Sequence, residues 1–308
     1  MNILLIGSYF FGYIERIAKF LSQTNNVNII YEYKVKAVER IMNFCNVNIT
    51  NKNKYYEFQY RKIQDNKYDV IIVMGGRSLT LEFMNMIKNR FHESKFVLYL
   101  SADYIEYNFN SRFISFFDSI YTYSLFESKK YGFIYLPWFF TDFKIRKEKE
   151  IDISFIGSIH SGRLKYINLI SCFDEISFFN YLYSDKISFF KDFFIWHKYI
   201  KNIHFKELPY YKYIDILSKS IATLDLPELL QTNITTRPIE ALGTSTKIIT
   251  TNPNIKLYDF YNKDNIFILN ENNNFNYFKD WLSTPYKELN QNILNKYYIK
   301  NWIDEILK

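Results

Sequence analysis

The sequence predicts an α/β protein made of two halves, each a doubly wound parallel sheet, and three observations carry that prediction. Short apolar runs recur and alternate with helical patterns, as strands buried on both faces require. Four of the 8 glycines, Gly7, Gly75, Gly76 and Gly157, closely follow such runs, where a strand turns into a helix. The pattern also restarts after the charged stretch FKIRKEKE at residues 143–150, which reads as a linker.

In chain order, residues 2–6 (NILLI) form the first strand, and a helical pattern then runs to Leu21. Residues 27–31, 69–74 (DVIIVM), 96–100 (FVLYL), 119–123 and 133–136 follow as strands. After the linker, residues 151–156 (IDISFI) open the second half, and residues 221–226 and 247–251 supply two more buried strands. Residues 169–205 are aromatic-rich and mixed, with helical segments near 188–198. A helix is expected at 210–218, a closing strand at 266–269, and helix from 286 to the last residue, 308. The expected domains are 1–146 and 147–308, both Rossmann-like, with the last helix free to pack back on the first domain. Ligands of such sheets bind at the carboxyl ends of the strands.

The 308 residues hold 48% apolar side chains, enough for a sizeable core, and a formal charge of +7 that favours acidic partners. The two cysteines, Cys45 and Cys172, match no metal or redox spacing, so a reducing compartment is expected. No run reaches the ~20 apolar residues of a membrane span. The expected location is cytoplasmic, with any contact peripheral on the inner membrane face. Basic residues are dispersed, which argues against nucleic acid.

Residues 7–12 (GSYFFG) lack the central glycine of a dinucleotide fingerprint, and no phosphate loop of the G-x-x-x-x-G-K type occurs. The aromatic loop around Gly7 and Tyr9 can instead face a sugar or lipid acceptor, or simply pack. Gly157, Ser158, His160 and Arg163 begin a helix after a strand, and their amides and guanidinium suit a diphosphate without a metal. Thr235, Thr236, Arg237 and Pro238 read as a second helix start, with hydroxyls to cap it and a cation beside it. Glu240 can accept both hydroxyls of a ribose or act as an ordinary first-turn acid. Asp103, just past the fourth strand, is the candidate general base, with Asp118, Glu127 and His160 as rivals. No histidine spacing or D-x-D triplet calls for a metal, and no cofactor is expected.

IDISFIGSIHSGR together with LDLPELLQTNITTRPIEALGTSTKIITTN resembles bacterial glycosyltransferases of the GT-B architecture, more narrowly the CgeB-like and capsule or lipopolysaccharide biosynthesis proteins. Gln231, Thr235, Arg237, Glu240, Leu242, Gly243, Lys247 and Thr250 to Asn252 match that pattern, and the resemblance is concentrated over 151–270. It implies two Rossmann-like domains with a cleft between them and transfer from a nucleotide-sugar to a glycan or lipid-linked acceptor. Glu240 would then hold the donor ribose. Thr235, Thr236, Arg237, Gly157, Ser158 and Arg163 would hold its diphosphate. The acceptor would face the first domain, at Gly7, Tyr9, Gly75 and Gly76. Retaining enzymes often carry a glutamate where this chain has Thr232, so an inverting route with a base such as Asp103 stays open. So do an idle binding subunit and a sugar-phosphate or glycerol-phosphate transferase on the same fold.

Overall fold

A computed structural model describes residues 1–9, 11–35, 39, 51–63, 67–102, 111–159, 161–191, 194, 201–228, 231–269 and 275–308. The chain forms two units: Met1–Pro137 with Ile299–Lys308, and Trp138–Tyr298.

In the first unit the strands are β1 (Asn2–Gly7), β2 (Asn26–Tyr31), β3 (Val70–Met74), β4 (Lys95–Leu100), β5 (Ser119–Thr122) and β6 (Ile134–Tyr135). They form one parallel sheet in the order β2-β1-β3-β4-β5-β6. Because side chains alternate across a strand, two cores result. Leu4, Ile6, Ile71, Val73 and Leu98 pack with Phe83, Met84 and Ile87 of the helix Leu81–Arg90. On the other face Ile3, Leu5, Ile72 and Tyr99 are equally buried. There the Tyr99 ring meets Trp302 of the helix Ile299–Ile306 edge-on, with centroids 5.0 Å apart. Tyr121 also donates its hydroxyl to the Glu305 carbonyl at 2.9 Å.

In the second unit the strands are β7 (Ile151–Ser158), β8 (Phe178–Tyr183), β9 (Ile203–His204), β10 (Ser220–Asp225), β11 (Lys247–Thr250) and β12 (Ile266–Ile268). Their order is β12-β11-β10-β7-β8-β9, again parallel throughout. Ile153, Phe155, Ala222, Leu224 and Ile249 pack with Phe267, Phe278 and Trp281 in its core. The run FKIRKEKE, read as a linker, belongs to this unit: Lys144 and Arg146 both bond Asp215, at 2.5 and 2.8 Å. Lys247 lies fully buried at the start of β11, donating to the Trp281 carbonyl at 2.6 Å and the Thr284 hydroxyl at 2.7 Å.

Two expectations change, and one helix adds to them. The aromatic stretch contains two strands, β8 and β9, that no β-branched run announced. A helix, Lys52–Arg61, precedes β3. The C-terminal segment is two helices, Gln291–Lys296 and Ile299–Ile306, with the buried Tyr297 in the break and its hydroxyl on Asp259 at 2.5 Å. No helix among the described residues is long and apolar enough to cross a membrane.

Candidate functional site

Strand order locates a crevice in each unit. Where successive strands step to opposite sides of a common neighbour, the loops at the carboxyl ends splay apart and leave room for a ligand. In the second unit this happens between β7 and β10, and in the first between β1 and β3.

The β7/β10 crevice holds Gly157, Arg163 and Arg237 together. A Cβ added to Gly157 would stand 2.9 Å from Arg237 Nη2 and 3.7 Å from Arg163 Nη1. Both guanidiniums also lie over the Phe155 ring, at 5.9 Å for Arg163 and 5.2 Å for Arg237. Each is anchored by backbone oxygens exposed at strand ends. Arg163 donates from Nε to the Leu226 carbonyl at 2.7 Å and from Nη1 to the Ser158 carbonyl at 2.6 Å. Arg237 donates from Nη2 to the Ile156 carbonyl at 2.9 Å.

Asp225, the last residue of β10, ties this arrangement together. Its Oδ1 accepts from the Thr235 hydroxyl at 2.6 Å and from Arg237 Nη1 at 3.3 Å, and its Oδ2 accepts from the Thr250 hydroxyl at 2.8 Å. Thr235 caps the helix Thr236–Leu242, its hydroxyl accepting from the Arg237 amide at 3.2 Å. Pro238 sits in the first turn, where a missing N–H leaves no bond unmade. Asp225 and Glu228 set their carboxylates against the two guanidiniums. Burial, and then the neighbouring Arg237, lower the Arg163 pKa to about 9, so Arg163 stays cationic at neutral pH. Glu240, four residues on from Thr236 in the same helix, is buried.

In the sequence Asp225 reads only as part of the strand at 221–226. Its signal was available: a carboxylate ending an apolar run immediately before Leu226-Pro227.

In the β1/β3 crevice, Gly75 and Gly76 follow β3 with φ of 85° and 79°, a left-handed pair that side chains rarely adopt. Glu32, just past β2 and buried, fixes this turn: its oxygens accept from the Gly76 and Ser78 amides, both at 2.8 Å, and from the Ser78 hydroxyl at 3.0 Å. Burial raises the Glu32 pKa, while the bonds from Ser78, Gly76 and Ser8 pull it back down. Gly7 is overlain by Ile14 and Met74, so the space above it is protein. Tyr9 stands 54% exposed beside it.

Two rivals for the base have structural duties. Asp118 accepts from the Phe96 amide at 2.7 Å at the amino end of the sheet, away from the crevice. Glu127 is the third residue of the helix Leu125–Tyr131, and its amide bonds the capping Ser124 hydroxyl at 3.1 Å. It also accepts from the Thr122 hydroxyl at 3.0 Å. Asp103 and His160 lie outside the described residues. Among the described residues no group of three or more His, Cys, Asp or Glu side chains is placed to hold a metal.

No family model and no curated protein matches this sequence. Solved structures do. The chain is similar to Anabaena HepE in complex with UDP-glucose at 9% identity and a TM-score of 0.61, covering 100% of this chain and 98% of that one. It is similar to AviGT4, a glycosyltransferase involved in avilamycin A biosynthesis, at 10% identity and a TM-score of 0.59, covering 99% and 97%. A putative UDP-N-acetylglucosamine 2-epimerase from Listeria monocytogenes is similar at 10% identity and a TM-score of 0.50, covering 99% and 97%. At these identities the likeness speaks for architecture: two parallel six-stranded units with the GT-B glycosyltransferase fold.

Proposed function

We propose that this chain is a glycosyltransferase that takes its sugar from a nucleotide-sugar and passes it to a glycan or lipid-linked acceptor. The observation that carries the reading is the convergence of Arg163 and Arg237 on Gly157 at the β7/β10 switch point. Two anchored guanidiniums over a position without a side chain fit a diphosphate, because guanidinium donors match phosphate oxygens in pairs. They would stabilise the negative charge that collects on the leaving nucleoside diphosphate, which is the task a metal performs elsewhere. The reading is therefore of a metal-independent transfer that needs no cofactor.

Donor contacts are assigned to the Gly157 and Ser158 backbone, His160, Arg163, Thr235, Thr236 and Arg237, with Glu240 on the ribose. Acceptor contacts are assigned to the first unit, at Gly7, Tyr9, Gly75 and Gly76. In an inverting reaction the acceptor O–H would give its proton to a base, for which Asp103 is the candidate. The C1–O bond to the diphosphate would break with its electron pair on the leaving group. The resemblance over 151–270 supports transfer over epimerisation, and it favours the CgeB-like or capsule and lipopolysaccharide branch, with a hexose as the group moved. The charge of +7 suits docking of a cytoplasmic protein at the anionic inner face of the membrane.

Titration calorimetry with UDP, GDP, CDP and TDP at millimolar concentration tests the reading. One nucleotide is expected to bind clearly better than the others, and binding of none would overturn it. Binding without turnover of any nucleotide-sugar would leave an idle binding subunit instead.

A further inference from the structure

The two units differ in charge at one equivalent position. The last residues of β1 and β2 pair as Gly7 with Tyr31, and those of β7 and β8 as Ser158 with Tyr183. The residue that follows is therefore equivalent in the two sheets: Glu32 in the first unit and Ser184 in the second, both buried. Ser184 is uncharged, and its hydroxyl donates to the Asp185 carbonyl at 3.1 Å. The Asp185 carboxylate serves its own helix start, accepting from the Ile187 and Ser188 amides, both at 3.1 Å. No carboxylate enters the second crevice from this position.

In the first unit Glu32 crosses to the turn after β3. Amides in a turn of this kind converge on one point and bind anions there, which is how many phosphates are held. Here the anion is the chain's own. The Gly76 and Ser78 amides and the Ser78 hydroxyl all donate to Glu32, and the Ser8 side chain bonds it from the loop after β1. A Cβ on Gly75 would stand 3.8 Å from Glu32 Oε1, so the carboxylate lies against the turn itself. The Gly75 amide is taken as well, by the Tyr99 carbonyl at 2.9 Å. Arg77, the cation of this turn, is exposed, where water and salt weaken its hold on an anion. A phosphate entering here would find these donors engaged and would meet a like charge where water screens poorly.

We propose that Glu32 is a specificity residue, an internal anion that fills the phosphate cradle of the β1/β3 crevice and turns phosphate away from the first unit. The diphosphate is then taken by the second unit alone, and whatever enters the first crevice presents to the Gly75–Gly76 turn a part that carries no phosphate. The assignment of the diphosphate rests on the donor reading of the second unit; the exclusion rests only on Glu32 and its donors. A carboxylate that did no more than stiffen the turn would add stability without governing what binds.

Titration of pyrophosphate into the isotope-labelled full chain tests this, with amide resonances followed at both crevices. In wild type the Gly157 and Ser158 resonances are expected to move, and those of Gly76 and Ser78 to stay. Glu32→Ala is expected to melt about 5 °C lower in chloride, the scale of lost hydrogen bonds to a charged group in a chain of this size. Phosphate at equal ionic strength should return most of that loss while raising wild type far less. In the variant the Gly76 and Ser78 resonances should answer pyrophosphate, and its stoichiometry should rise from one to two. Movement of Gly76 and Ser78 in wild type overturns the proposal, as does their silence in the variant. So does a Glu32→Ala protein that phosphate does not stabilise or, where it fails to fold in chloride, does not restore. If Gly157 and Ser158 stay silent while the variant gains its site at Gly76, the donor reading falls and Glu32 keeps its role.

Discussion

Arg237 and Asp225 form a buried ion pair, Nη1 to Oδ1 at 3.3 Å, with the carboxylate fully enclosed and the guanidinium side chain only 12% exposed. Asp225 is also where the Thr235 and Thr250 hydroxyls end, so one strand-end carboxylate satisfies three donors from two segments, the helix start and β11. Replacing it with alanine leaves Arg237 charged, buried and without its counter-ion. Breaking such a pair from one side costs about 3–5 kcal/mol. Asp225→Ala is therefore expected to lower the urea midpoint of unfolding sharply, and a midpoint near wild type would show that the pair is not a stabilising hub.

Arg163 makes two bonds to backbone oxygens, and its Nη2 meets no partner among the described residues. If that nitrogen serves a diphosphate, Arg163→Met should weaken UDP binding by about 10- to 100-fold, the scale of a lost hydrogen bond to a charged group. Binding of uridine, which carries no phosphate, should be unaffected. Calorimetry with both ligands separates the outcomes, and equal losses for the two would assign Arg163 to folding instead.

Glu240→Ala is expected to weaken UDP binding by about tenfold while the protein remains folded. The sharper measurement is a cycle with 2′-deoxy-UDP. If Glu240 accepts the ribose hydroxyl, the deoxy analogue binds wild type more weakly than UDP, yet binds the variant as well as UDP does. A deoxy penalty that survives in the variant removes Glu240 from the ribose.

Lys247 gives a pH signature. Burial lowers its pKa from 10.5 to about 8, with Asp264 opposing. Between those values the unfolded chain holds the proton that the folded protein has released. Stability therefore rises with pH across that window, and the charged lysine burdens the fold below about pH 8. Relative to Lys247→Met, the wild-type urea midpoint should climb from pH 8 to pH 10. A constant difference would mean that Lys247 titrates normally.

How much of this was legible in the sequence depended on how loudly each residue type speaks. Strands such as Val70–Met74 and Lys247–Thr250 announce themselves, being rich in β-branched residues and buried along their whole length. The cap at Thr235 was equally plain, because hydroxyl, cation and proline fall in the order a helix start needs. Phe178–Tyr183 was hidden: its six residues, FFNYLY, contain no β-branched side chain, and only Leu182 is fully enclosed. Ile203–His204 is too short to show any period. Asp225 and Glu32 were missed for a different reason. Each is a single carboxylate next to an apolar run, and only the strand order reveals that Asp225 borders one switch point and that Glu32 clamps the turn at the other.

The helix Ile299–Ile306 completes the first unit although 161 residues of the second unit, Trp138–Tyr298, intervene. During synthesis the Tyr99 face of the first sheet is thus made early and left bare until Trp302 emerges. A gene cut after Pro137 would yield a half-dressed sheet prone to sticking to its neighbours, so the two units are not interchangeable cassettes. Swapping the sugar-handling halves between such proteins would require carrying the terminal helix along with the first unit.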